Sequence, residues 1–212
     1  MRKLSGKDRL ITRFDKFIRT GSISKTIDSR RSPAEGVTDR PLTAQQRLHS
    51  ASLMRVNHTG EVCAQALYLG QALVARDSAI KRSLQDASAE ESDHLSWCRQ
   101  RLEELDSRPS VLDPAWFAGS VAIGIGAAAI GDAMSLGFVE ETETQVCAHL
   151  DGHLAELPVG DLRSRAILLE MREDEARHAE NAKSYGATPM PLVIKTLMRL
   201  QARIMTSLAY RI

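Results

Sequence analysis

Two short strings constrain this chain more than anything else in it: Glu91-Ser92-Asp93-His94 and, 84 residues later, Glu175-Ala176-Arg177-His178. Each reads Glu-x-x-His, a spacing that on a helix puts a carboxylate and an imidazole on one face, a single turn apart. Upstream of each lies another glutamate in a strongly helical stretch: Glu61 precedes Glu91 by 30 residues, and Glu143 precedes Glu175 by 32. The chain therefore reads as two helix pairs, each offering Glu and then Glu-x-x-His. Four carboxylates and two imidazoles from four helices are the donor set of a carboxylate-bridged pair of metal ions in a bundle core. One such motif alone says little, because helix surfaces are rich in Glu and His. The matched repetition is the signal.

The rest of the sequence agrees with a helical frame. Hydrophobic residues make up 43% of the 212, but aromatics only 4%, with Ala and Leu dominant and little period-two alternation. That composition predicts an all-α protein. A net charge of +1 argues against a general nucleic-acid binder. Cys63, Cys98 and Cys147 are odd in number, lack metal-type spacing and fall in helical stretches, which points to reduced thiols. No secretory signal peptide is expected, since the basic N-terminus has no continuous apolar core.

In chain order, residues 1–42 read as a basic amphipathic arm and linker, and residues 43–212 as the bundle. Leu10, Ile11, Phe14, Phe17 and Ile18 fall at helical spacing among Arg and Lys residues, an arm suited to an anionic membrane surface or to docking on the bundle. The first helix starts at Thr43 as N-cap, with an inward stripe Leu53, Asn57, Glu61, Ala64, Tyr68, Gln71, Ala75. The second, capped by Ser78, carries Leu84, Ala87, Glu91, His94, Cys98, Leu102, and stops near Asp106. Asp113-Pro114 reads as a cap followed by proline in the first turn. Ala115 to Gly131 is uncharged for 17 residues, slightly short of the roughly 20 a spanning helix needs. It reads as a core helix or, preferred here, a segment dipping into one leaflet, with Gly124 and Ala128 small enough for close helix contact. Among Glu140, Glu141 and Glu143, the stripe Val139, Glu143, Val146, Leu150, Leu154 selects Glu143 and keeps Glu140 in reserve. Asp161 caps the next helix, whose stripe is Ile167, Met171, Glu175, His178, Ala182, Tyr185. The amphipathic segment from Leu192 is expected to pad the bundle, with lying on a membrane as the alternative.

Four glutamates on apolar stripes cannot stay there as unpaired charges, because burying an ionised carboxylate is very costly. No Lys or Arg shares their depth on the stripes, whereas two divalent ions match four carboxylates in charge. Oxygen-rich sites with one imidazole per ion suit iron or manganese better than zinc. Tyr68 reads as core packing, His149 and His153 as solvated, and Asp93 and Asp174 as surface residues. Asn57 and His58 are candidates for orienting the ligands.

Arg55-Val56-Asn57-His58-Thr59-Gly60-Glu61-Val62, then Glu91-Ser92-Asp93-His94-Leu95, then Glu173-Asp174-Glu175-Ala176-Arg177-His178 resemble the demethoxyubiquinone hydroxylases, ferritin-like di-iron enzymes of ubiquinone biosynthesis. The likeness covers roughly residues 43–212. It implies a ferritin-like four-helix bundle with extra apolar and amphipathic helices, holding two iron ions per subunit on Glu61, Glu91, His94, Glu143, Glu175 and His178, with no catalytic residues beyond these ligands. Glu61 and His94 would belong to one iron, Glu143 and His178 to the other, with Glu91 and Glu175 bridging. The implied reaction is hydroxylation of a polyprenylated methoxy-methyl-benzoquinol by O2 and two electrons from a donor the sequence does not name. The implied setting is peripheral, on the cytoplasmic face of a bacterial cell membrane or the matrix face of the mitochondrial inner membrane, with the Trp116–Ile130 helix admitting the prenyl tail. A ferroxidase or peroxidase on the same scaffold is the alternative, and a metal-free membrane-surface scaffold is a third reading.

Overall fold

The computed structural model describes residues 30–212; the basic amphipathic stretch at the N-terminus lies outside the described residues. Six helices and no strand occur among the described residues: α1 (Ala44–Val74), α2 (Ser78–Glu104), α3 (Asp113–Ile130), α4 (Asp132–Glu156), α5 (Leu162–Ser184) and α6 (Leu192–Ala209). The protein is all-α, with α1, α2, α4 and α5 forming a ferritin-like bundle and α3 and α6 packed on its outside. α1 pairs with α2, and α4 with α5; α1 also touches α3, α4 and α6, and α2 meets α5 across the bundle.

Local chemistry sets where the helices begin. Thr43 caps α1 in a reciprocal box: its Oγ1 accepts from Gln46 N at 3.2 Å, and Gln46 Oε1 accepts from Thr43 N at 2.9 Å, satisfying two amides that the first turn leaves free. Asp161 caps α5 by accepting from Ser164 N at 2.9 Å. Two expected caps are corrected. Asp77, not Ser78, caps α2, accepting from Ala79 N at 2.6 Å. Asp113 is the first residue of α3 rather than its cap. Its carboxylate turns inward, accepts from Thr59 Oγ1 at 2.8 Å and lies 3.1 Å from His58 Nδ1.

α3 crosses α1 at very close range. A Cβ at Gly124 would meet the Leu67 carbonyl at 2.3 Å, and one at Gly70 would meet the Val121 carbonyl at the same distance. Only glycine permits that approach. This contact buries Phe117, Val121, Gly124 and Ala128 and leaves Ala115, Ala118, Ala122 and Ala129 exposed. α3 is the one described helix long and apolar enough to cross a membrane by length and composition. α6 does not pad the bundle as expected: Ala209 is its only buried residue, and Leu192 and Leu197 are 72% and 56% exposed. Its apolar row faces outward alongside Leu200, Ile204 and Leu208.

The stretch before α1 is packed on the bundle. Ala34 is buried in the core cluster with Trp97, Leu102 and Ile167. Arg163 donates to the carbonyls of Ala34 and Val37 at 2.9 and 2.7 Å. Asp39 pairs with the buried Arg101 at 2.7 Å, which also holds Asp161 at 2.8 Å. The three cysteines are unpaired thiols.

Candidate metal centre

Glu61, Glu91, His94, Glu143, Glu175 and His178 all lie in the bundle interior, none more than 5% exposed. An apolar layer flanks each end. Met54, Trp97, Cys98, Ile167 and Met171 pack on one side, and Ala64, Leu84, Leu136 and Val139 on the other. The stripe argument explains the convergence, because each of the four helices turns the face carrying its ligand toward the others.

Glu61, Glu91, His94 and Glu175 each offer a ligand atom within 4.8 Å of the rest. His94 Nδ1 lies 2.9 Å from Glu91, 3.3 Å from Glu61 and 3.2 Å from Glu175. His178 Nδ1 lies 3.1 Å from Glu175 and 3.4 Å from Glu91. Glu91 and Glu175 therefore touch both imidazoles, whereas Glu61 faces His94 alone. Glu143 accepts a hydrogen bond from the buried Tyr68 hydroxyl. Among the three neighbouring glutamates, only Glu143 enters the cluster. Glu141 is buried against α6 and pairs with Lys195 at 2.6 Å, and Glu140 lies 3.8 Å from Lys183.

The electrostatics are those of a site balanced by protons. Burial pushes the Glu61 carboxyl well above its usual range, and the Glu91 charge adds to it. Glu143 is raised well above its range too, by burial and then by Glu175. Glu91 goes the other way: burial opposes its ionisation, but His94 and His178 outweigh burial and hold it far below the usual carboxylate range. Burial alone would strip the proton from His94 and His178; the carboxylates around them reverse that and raise both. Protons thus do the neutralising that divalent cations do with more charge per site. Glu143 Oε2 is buried and makes no hydrogen bond, and the buried Glu91 Oε1 and Glu175 Oε1 have an imidazole Nδ1 at 3.4 and 3.2 Å without forming a well-aligned one. Buried carboxylate oxygens that lack a well-aligned donor are rare, and three of them in one site fit bound cations.

Around this core the structure corrects several sequence expectations. Asp174 is buried, not on the surface, and its Oδ2 lies 2.9 Å from His94 Nε2. Asp93 is buried as well. Tyr68 is a partner of Glu143 rather than packing alone. His153 is buried, its Nδ1 2.9 Å from Asn57 Oδ1, and His149 is half-buried against it with ring centres 3.9 Å apart. Asn57 and His58 bond to His153 and face Asp113 rather than orienting ligands. Glu90, which sequence reasoning passed over, lies 3.1 Å from His178 Nε2. Each imidazole thus turns Nδ1 to the cluster and Nε2 to an outer carboxylate, and that carboxylate immediately precedes the glutamate of the opposite Glu-x-x-His. The acidic residue in both Glu90-Glu91 and Asp174-Glu175 was the available signal.

A cavity of about 370 Å³ opens onto the cluster beside Tyr68 and His178. Leu84, Ala87, Leu136 and Val139 supply its apolar walls, and Arg82, Asp86 and Asn181 are polar. No α3 residue lines it.

The family described as "Ubiquinone biosynthesis protein COQ7" matches residues 48–209. The chain is 52% identical to a 3-demethoxyubiquinol 3-hydroxylase of Legionella pneumophila, strain Corby, over the whole of both chains. It is 52% identical to the enzyme of that name from Ralstonia pickettii, across 97% of this chain and 99% of that one. A Chromobacterium violaceum relative of the same name is 48% identical, again over 97% and 99%.

Proposed function

The chain belongs to the COQ7 family of ubiquinone biosynthesis proteins, and on that premise we propose that its buried Glu/His cluster is a two-iron centre at which demethoxyubiquinol is hydroxylated. The protein is a hydroxylase of ubiquinone biosynthesis. The observation that carries the di-metal reading is the buried convergence of Glu61, Glu91, His94 and Glu175, with His178 and Glu143 each beside Glu175. Glu61 and His94 would hold one ion and Glu143 and His178 the other, with Glu91 and Glu175 shared, because those two carboxylates alone approach both imidazoles.

Iron held by these residues would supply the activation of dioxygen for ring hydroxylation, with the two electrons the reaction consumes returned to the centre by a reductant. The protein's own residues supply the rest. Tyr68, whose hydroxyl burial holds protonated, donates to Glu143 and fixes that carboxylate. The cavity beside His178 admits a quinol ring to the cluster, with Leu84, Leu136 and Val139 stripping water from it. The outward apolar row of α6 and the bare outer face of α3 fit peripheral attachment to a lipid surface, with the exposed Arg199 and Arg203 of α6 matching anionic headgroups. The bacterial relatives favour the cytoplasmic face of a cell membrane as its place.

The test is the quinone profile of cells lacking the gene, read by mass spectrometry. Demethoxyubiquinone accumulates, and the wild-type gene but not Glu175→Ala restores ubiquinone. The Glu175→Ala protein also loses bound metal. Full turnover by that variant with metal in place would overturn the assignment.

A further inference from the structure

Arg30 precedes the bundle in the chain, yet it reaches the outer layer of the metal site. Its Nη1 donates to Asp174 Oδ2 at 2.6 Å, and its Nη2 pairs with Glu170. The same Asp174 oxygen lies 2.9 Å from His94 Nε2, so one atom joins the guanidinium to the imidazole. A second contact runs in parallel. The Arg30 guanidinium lies 5.1 Å from the centre of the Trp97 ring, and Trp97 lies 5.3 Å from the His94 ring. Trp97 Nε1 also donates to the Arg30 carbonyl at 3.3 Å. His94 is thus braced on its outer edge and its flank by groups that Arg30 holds.

We propose that Arg30 is a positioning residue of the metal centre, acting through Asp174 and Trp97 to fix the His94 ring, so that the segment ahead of the bundle is needed for tight metal holding. This rests on the metal-centre reading above. An imidazole ligand is aimed by the bond its other nitrogen makes, and loss of such an outer partner weakens metal binding. Asp174 keeps a second cation when Arg30 is lost, because Arg177 donates to its Oδ1 at 2.7 Å. Arg177 is also drawn toward Glu90, at 2.7 Å. Without Arg30, only the His94 bond itself opposes that pull, and the Asp174 carboxylate no longer has a fixed partner to aim it at the ring.

The experiment titrates the full-length apoprotein with Co2+ against a chromophoric chelator and records the visible d–d bands. Wild type binds two Co2+. Arg30→Ala weakens binding about tenfold, the low end of the outer-partner range, and alters the d–d bands, and Arg30→Lys recovers part of both. Asp39→Ala loosens the same segment by removing the partner of Arg101. It lowers the melting temperature but leaves Co2+ affinity and spectrum unchanged. Arg30→Ala binding within twofold of wild type would overturn the inference, as would an equal loss in Asp39→Ala, which would reduce Arg30 to a docking contact. A wild-type protein that takes up no Co2+ would overturn the metal-centre reading and this inference with it.

Discussion

The two halves of the metal site share a ligand pattern but differ in their surroundings. On the His94 side the imidazole is fully buried, its outer partner Asp174 is 3% exposed, and two arginines and Trp97 close over the pair. On the His178 side the corresponding partner, Glu90, is 36% exposed, and the cavity opens between the imidazole and Tyr68. Arg177 joins the two, bonded to Asp174 with one nitrogen and to Glu90 with the other. On the proposed metal reading the contrast gives a repeated motif different duties: the sealed half would hold the metal in place, and the open half would exchange reactants. A buried carboxylate that loses its role cannot be replaced by solvent, whereas an exposed one can.

Replacing the outer carboxylates one at a time is the strongest way to break that comparison. Asp174→Ala leaves the buried His94 Nε2 without its acceptor, while Arg30 and Arg177 keep Glu170 and Glu90, and it weakens metal binding by up to about 100-fold. Glu90→Ala opens a position that water fills, and costs no more than about tenfold. Chelator competition on the two variants measures both. Equal losses would erase the distinction between a sealed and an open half.

The cavity gives the next test. Ala87 lines it from α2 and is only partly buried, so Ala87→Phe fills it with little disturbance to the core. That variant keeps its metal and loses about tenfold in kcat/KM toward a short-chain quinol, the scale on which a blocked apolar pocket discriminates. Ala122→Phe, on the exposed face of α3, leaves kcat/KM unchanged with the same substrate. If the α3 variant is the one that loses activity, the ring enters along α3 and the His178 cavity serves another reactant.

Much of this was legible in the sequence because helical periodicity is strict. Glu91 and His94 share a face at any helix boundary, and the stripe through Val139, Val146 and Leu150 separated Glu143 from Glu140 and Glu141 without tertiary information. What the periodicity could not show was the partner across the bundle. Asp174 reads as a surface acid because most aspartates are, and its buried bond goes to His94, on a helix from the other pair. Asp113 beside Pro114 has the form of a cap; only the fold brings Thr59 and His58 close enough to draw its carboxylate inward. The amphipathic pattern of α6 correctly marks an apolar face, but amphipathicity requires only that the face be covered, not that this chain cover it. Arg30 sat in a stretch with no periodicity at all, and its role rests entirely on where the chain folds back.

The smallest effect tests how far the sealed half extends. His153 lies beyond Asn57 on the sealed side, beside Leu150 and Leu157 of the same core that covers Trp97 and Met171. Burial, helped by the neighbouring His149 and His49, pushes its imidazole down to about 3. In the unfolded chain it titrates at its ordinary 6.5. Because the folded value is depressed, the unfolded chain takes up the proton first as pH falls. The stability His153 contributes is therefore present above 6.5 and lost progressively from there toward 3, by no more than about 1.4 kcal/mol per pH unit. His153→Gln keeps an amide donor for Asn57 and removes the titration. Urea unfolding at pH 7 and pH 5 then gives a smaller acid-induced fall for His153→Gln than for wild type, and the difference between the two proteins isolates this group from the carboxylates that titrate alongside it. Parallel falls would mean that water already reaches His153 in the folded protein, and the dry half of the site would then end at Asn57.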